Sequence, residues 1–179
     1  VSGLPAGQTR VRSPSDGGPA RPTLRLMLTH PAHLLSFGLG SGLVPVSPGT
    51  AGTLLALPLH WLASAWLVPI AHLALIALLC IAGAVAAART CRALGSGDHG
   101  AVVIDEVVSF LLVLYFVPAT LAWQALAFVT FRCFDVLKPW PIRWCDRNVH
   151  GGLGVMLDDL LAGLATIATV LLLAALAGA

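Results

Sequence analysis

Long apolar runs alternate with short polar islands along this chain. Residues 31–38, Pro-Ala-His-Leu-Leu-Ser-Phe-Gly, predict a short interfacial helix. The first island, Gly40–Thr53, reads GSGLVPVSPGTAGT and is dense in Gly, Pro, Ser and Thr. Such a composition predicts a loop ending at a helix start. Apolar helices are then expected over 54–68 and 70–88, with Pro69 between them and Arg89 and Arg92 as anchors after the second. The second island is Gly95–Glu106, GSGDHGAVVIDE. Residues 107–117 are apolar, Pro118 interrupts, and the apolar character resumes over 120–131. The third island, Arg132–Asp159, is the longest, and the run from Leu160 to about Leu176 is long enough to span a bilayer at ~20 residues per span.

Charge sharpens this pattern. Only 10% of the 179 residues are charged, against about 25% in a soluble globular protein. Leu26–Ala88, Val107–Phe131 and Leu160–Ala179 contain no Asp, Glu, Lys or Arg. An ordinary soluble domain and a disordered chain both need more polar or charged surface. A net charge of +2 is too small for a nucleic-acid binder. The expected class is all-α, a compact multi-helix bundle, membrane-embedded, with short helical hairpins and a C-terminal transmembrane helix. Residues 1–25, rich in Gly, Pro, Ser and Arg, are expected to form a disordered basic arm before one membrane domain over 26–179. The run after Arg25 is broken by His30, Pro31 and His33, which argues against a secretory signal. The four cysteines form no C-x-x-C pair.

Seven of the eight acidic residues fall between Asp98 and Asp159. Asp105 and Asp135 would stand ~45 Å apart on one continuous helix. A turn near Pro118 instead gives two arms of ~18 Å and returns both acids to one side. A turn near Pro69 does the same for residues 54–90, so all three islands can converge on one face. The competing topology is a single kinked span over 107–131, and hydropathy does not choose between them.

Clustered carboxylates beside cations fit metal-assisted chemistry on a phosphate. Carboxylate oxygens select a hard ion such as Mg²⁺, and basic side chains hold phosphate oxygens. Thr50 and Thr53 flank the first turn of the helix after the first island, where free N–H groups attract anions. Each group also has a structural reading. Asp158 and Asp159 open the predicted last helix, where acids favour the macrodipole. Asp135 and Lys138 stand at i, i+3 and can simply pair. Asp105 and Glu106 are adjacent and point in different directions, so one can bind metal while the other orients a neighbour. His150 precedes two glycines and can bind phosphate, shuttle a proton or merely pack. Trp140 and Trp144 fit an interfacial aromatic belt.

GSGLVPVSPGTAGT, the Asp98-His99-Gly100 and Asp105-Glu106 groups, and FRCFDVLKPWPIRWCDRNVHGGLGVMLDDLLAG closely resemble the phosphatidylglycerophosphatase A family. The similarity runs from about residue 31 to the C-terminus. It implies a bacterial inner-membrane, multi-pass, Mg²⁺-dependent lipid phosphatase of phospholipid biosynthesis, with a cytoplasmic active face. Such an enzyme removes the terminal phosphate of phosphatidylglycerophosphate to give phosphatidylglycerol. The family positions carried over are Asp105, Glu106, Asp135, Lys138, Arg143, Asp146, Arg147, Asn148, His150, Asp158 and Asp159, with Ser47, Thr50 and Thr53 in the first island. The implied catalytic group is Asp105, Glu106, Asp135, Asp158, Asp159 and His150, the five acids being the metal candidates. Lys138, Arg143, Arg147, Asn148, Ser47, Thr50 and Thr53 are the implied phosphate contacts. Among rivals, a CDP-alcohol phosphotransferase lacks its D-x-x-D-G-x-x-A-R pattern here, and a histidine-nucleophile lipid phosphatase lacks its Pro-Ser-Gly-His block. A small transporter would prefer charges inside the apolar runs rather than between them.

Overall fold

The computed structural model describes residues 21–178. Residues 1–20, and with them most of the expected arm, lie outside the described residues; Leu24 and Arg25 already belong to the first helix. Eight α-helices follow in order: α1 Leu24–Thr29, α2 Pro31–Ser36, α3 Pro48–Trp66, α4 Pro69–Leu94, α5 Ile104–Phe116, α6 Leu121–Leu137, α7 Ile142–Asn148 and α8 Gly151–Ala177. A short 3-10 segment, Gly38–Leu43, joins α2 to α3. No strand occurs among the described residues, so the all-α bundle holds.

Proline and positive-φ residues set the boundaries. Pro31, Pro48 and Pro69 stand in the first turn of their helices, where a missing N–H costs nothing. Gly95 closes α4 and Gly178 closes α8 in the left-handed conformation, the usual helix stop. Several limits differ from those expected. Proline at the first position starts α3 at Pro48, so Thr50 and Thr53 sit inside the helix rather than in a loop before it. The last helix starts at Gly151, so Asp158 and Asp159 occupy its third turn and do not cap it. The N-terminal dipole has largely faded there.

The centre of the bundle is α5, which buries Val107, Val108, Phe110, Leu111, Val113 and Leu114 and packs against α3, α4, α6 and α8. Phe110 stacks near Phe131 of α6 with ring centres 5.4 Å apart. The chain does turn back after α5, at Val117–Thr120, and the single kinked span over 107–131 is excluded. The arms of each predicted hairpin barely touch one another. They pack instead on α5 and α8. The α4–α8 crossing is close: a Cβ on Gly152 would fall 1.9 Å from the Ala84 carbonyl oxygen.

At 26 and 27 residues, α4 and α8 are long and apolar enough to cross a membrane. Each is about 40 Å long, against a hydrocarbon core of ~30 Å. Ile70, Leu78, Ile81 and Val85 of α4 and Leu153, Leu164 and Leu172 of α8 are exposed. Outward apolar faces of that extent suit lipid rather than water.

Candidate active site

The first turn of α5 carries Asp105 and Glu106, and α8 brings Asp159 beside them. These three side chains each place one carboxylate oxygen within 4.8 Å of the others. Adjacency in sequence does not keep Asp105 and Glu106 apart: each offers a carboxylate oxygen to the same cluster. Asp105 and Asp159 are only 8% and 4% exposed. Asp105 Oδ1, Glu106 Oε2 and Asp159 Oδ2 are buried without a hydrogen-bond partner. Burial pushes the Asp105 carboxyl well above its usual range, and the Glu106 and Asp159 charges add to the rise. Burial also raises Glu106. Asp105 and Asp159 have no ion-pair partner among the described residues, and Glu106 has only a long contact to Arg132. Buried acids so weakly compensated cost several kcal/mol each as ions, so the cluster is built for protons or for a cation. The donor set, hard oxygens in close convergence, fits a divalent ion.

A second layer surrounds this cluster. Asp135 lies in the last turn of α6 and pairs with Arg132, not with Lys138: Arg132 Nη1 is 2.6 Å from Asp135 Oδ2 and 3.9 Å from Glu106 Oε1. The N-terminus of α3 closes the other side. A Cβ on Gly49 would lie 2.1 Å from Glu106 Oε1 and 3.2 Å from Arg132 Nη1. Only glycine lets the α3 backbone approach so near. Arg132 and Gly49 were not singled out from sequence. The i, i+3 spacing of Arg132 and Asp135 was the available clue.

Lys138 ends α6 in the left-handed conformation and turns back over α8. Its ammonium donates to Asp146 Oδ1 at 2.6 Å and to Asp158 Oδ2. Burial alone would lower its pKa, but the hydrogen bonds to Asp146 and Asp158 prevail and raise it. Lys138 is therefore the counter-ion of Asp158, with one of three donors left for a substrate oxygen. Removing one partner of a buried pair typically costs 3–5 kcal/mol. Lys138→Met is expected to lower stability by about 3 kcal/mol, and adding Asp158→Asn should restore most of it, as read by thermal melting in detergent.

The remaining predicted residues are placed further out. Thr53 is fully buried and donates to the Gly49 carbonyl at 2.9 Å, so its hydroxyl is spent within α3. Thr50 is half-buried and Ser47 exposed at the start of α3. Arg143, Arg147 and Asn148 are exposed on α7. Arg143 donates to the Leu137 carbonyl at 3.1 Å and Asn148 to the Trp144 carbonyl at 2.6 Å. His150 lies apart from the three-acid cluster and lines a cavity of about 170 Å³ with Asp98, Asp146 and Asp158. The carboxylates thus form two groups, Asp105–Glu106–Asp159 beside Asp135–Arg132, and Asp146–Asp158 around Lys138.

Comparison with known proteins settles which family builds this arrangement. The family model described as phosphatidylglycerophosphatase A matches residues 34–174. The chain belongs to the phosphatidylglycerophosphatase A family. It is a phosphatase, and the match encloses every acid of the site. The Escherichia coli phosphatidylglycerophosphatase A is 44% identical over 140 residues, 78% of this chain and 81% of that one. The Haemophilus influenzae phosphatidylglycerophosphatase A is 39% identical over 145 residues, 80% of this chain and 88% of that one. A Bacteroides thetaiotaomicron protein, provisionally named a phosphatidylinositol-3-phosphatase, is 41% identical over 138 residues, 73% of this chain and 85% of that one. No solved structure matches the chain. The resemblance carried by the three islands is thereby confirmed at the level of the family. The phosphatidylglycerophosphatase A match begins at residue 34, past the Arg-rich stretch.

Proposed function

We propose that the protein hydrolyses the terminal phosphomonoester of phosphatidylglycerophosphate, with Mg²⁺ held by Asp105, Glu106 and Asp159. The observation that carries this reading is the convergence of three buried carboxylates whose free oxygens have no partner. When bound, the ion neutralises phosphate charge and makes its water a better nucleophile. The protein supplies the remainder. Arg132, fixed by Asp135, offers its guanidinium beside the cluster, where a fork of N–H donors suits phosphate oxygens. The uncapped start of α3, at Gly49 and Thr50, adds backbone N–H groups and positive dipole potential on the same side. Lys138 keeps Asp158 neutralised and retains a donor for the headgroup. Asp135, next to Asp159 and outside the ligand set, is placed to take the proton of the attacking water.

Phosphate release from phosphatidylglycerophosphate in detergent tests this directly. EDTA is expected to abolish turnover and added Mg²⁺ to restore it. Turnover unaffected by EDTA would remove the ion from the reading. Parallel assays with phosphatidylinositol 3-phosphate and phosphatidic acid separate the lipid classes, and phosphatidylglycerophosphate is expected to be turned over fastest.

The reading extends to location: the bacterial inner membrane, multi-pass, with the acid site facing the cytoplasm. Arg89, Arg92, Arg132, Lys138, Arg143 and Arg147 all lie in segments at the site end of the bundle, whereas the turns at 67–68 and 117–120 hold no charge. Such bias marks the cytoplasmic side. Exposed Cys133 supplies the check. A membrane-impermeant thiol reagent should label it in inverted vesicles and not in intact spheroplasts.

A further inference from the structure

An apolar groove of about 580 Å³ runs between α4 and α8, on the outer surface of the bundle. Its walls are Cys80, Ile81, Val85, Leu153, Leu157 and Leu160, and Arg92 stands at one end. The Gly152–Ala84 backbone contact forms its floor. Ile81, Val85 and Leu153 are 68%, 67% and 72% exposed, so none of the described residues covers the groove. Arg92 is exposed and has no ion-pair partner among the described residues.

Direction matters here. Leu153, Leu157 and Leu160 share one side of α8, while Asp158 and Asp159 are turned about 100° and 200° from Leu157. The groove therefore opens on another side of α8 from the cavity lined by Asp158 and His150. A lipid lying in it is not a substrate presented to the acids. Length matters as well. From Arg92 to Cys80 the groove follows α4 for ~18 Å. One leaflet of a ~30 Å hydrocarbon core is ~15 Å deep. A chain lying along the groove would fill one leaflet and put its phosphate at the level of Arg92, where the unpaired guanidinium meets an anion.

The geometry points to a resident anionic phospholipid on this surface, with one acyl chain between α4 and α8 and its phosphate on Arg92. The site is separate from the catalytic one and does not depend on the reaction assigned above. Native mass spectrometry of the full chain in detergent, with phosphatidylglycerol or phosphatidylcholine of matched chain length, tests it. Wild type is expected to retain phosphatidylglycerol about fivefold better. Arg92→Gln should reduce phosphatidylglycerol to the phosphatidylcholine level. Val85→Trp and Ile81→Trp, which fill the groove from two positions, should reduce both lipids. All three variants are expected to keep phosphate release within about twofold of wild type. Asp105→Asn should lose turnover and keep the Arg92-dependent retention. Equal retention of the two lipids overturns the proposal, as does phosphatidylglycerol retention indifferent to Arg92→Gln. Loss of retention in Asp105→Asn would assign the lipid to the acid site and overturn it too.

Discussion

Asp159→Asn is expected to lower phosphate release by about a thousandfold, while the folded protein survives. The size follows from removing one of three converging ligands for an ion that contributes several kcal/mol to the transition state. Survival follows from the same geometry. Asparagine keeps the shape of the side chain and removes one of three mutually repelling buried charges. The variant should melt at or above the wild-type temperature without divalent ions. Mg²⁺ should raise the wild-type melting temperature and leave that of Asp159→Asn nearly unchanged, because binding to the folded state alone stabilises it. Phosphate release within tenfold of wild type would remove Asp159 from the ligand set. Asp158→Asn is a useful contrast. Its partner is Lys138, so its effect should fall on stability first.

Gly49→Ala is expected to cut turnover by about a hundredfold with little loss of fold. Helix propensity alone predicts the reverse sign for stability, since alanine is favoured over glycine by about 1 kcal/mol in a helix. The new methyl group would stand 2.1 Å from Glu106 Oε1 and 3.2 Å from Arg132 Nη1. The atom in its way ends a long side chain, so the fold can yield by moving that carboxylate. The site cannot, because the same carboxylate belongs to the three-acid cluster. The loss should therefore appear in kcat, with the melting temperature held. A variant with wild-type kcat would show that the start of α3 does not bear on the reaction.

Much of this organisation was legible in the sequence. Prolines 69 and 118 marked candidate reversals that would bring the acids to one face. The single kinked span over 107–131 was equally compatible with hydropathy, and only the turn at Val117–Thr120 decides between them. Helix starts were less legible. Pro48 and Gly151 begin helices inside stretches whose Gly, Ser and Pro content reads as loop, because first-turn proline and packed glycine are compatible with helix when neighbouring helices approach closely. The start at Pro48 moved Thr53 from a candidate phosphate contact to an internal hydrogen bond, and the start at Gly151 moved Asp158 and Asp159 from a cap to the body of α8. The partners of the charges were the least legible. Sequence spacing offered Asp135–Lys138, whereas the fold chose Arg132–Asp135 and Lys138–Asp158. The left-handed turn at Lys138 reverses its side chain toward α8, and no local pattern encodes a contact across 20 residues. Glycine at 49 matters only through what lies opposite it, Glu106 on α5 and Arg132 on α6.

The placement of Asp159 in the third turn of α8 joins two tasks in one element. The helix long enough to anchor the chain also carries one of the three converging carboxylates proposed to hold the ion. Depth and chemistry are then geared together. Sliding α8 by one residue would shift Asp159 by about 1.5 Å and turn it by about 100°, enough to empty the cluster. If α8 spans a bilayer as proposed, bilayer thickness acts on its register, and the surrounding lipid becomes a setting on the proposed catalytic cluster.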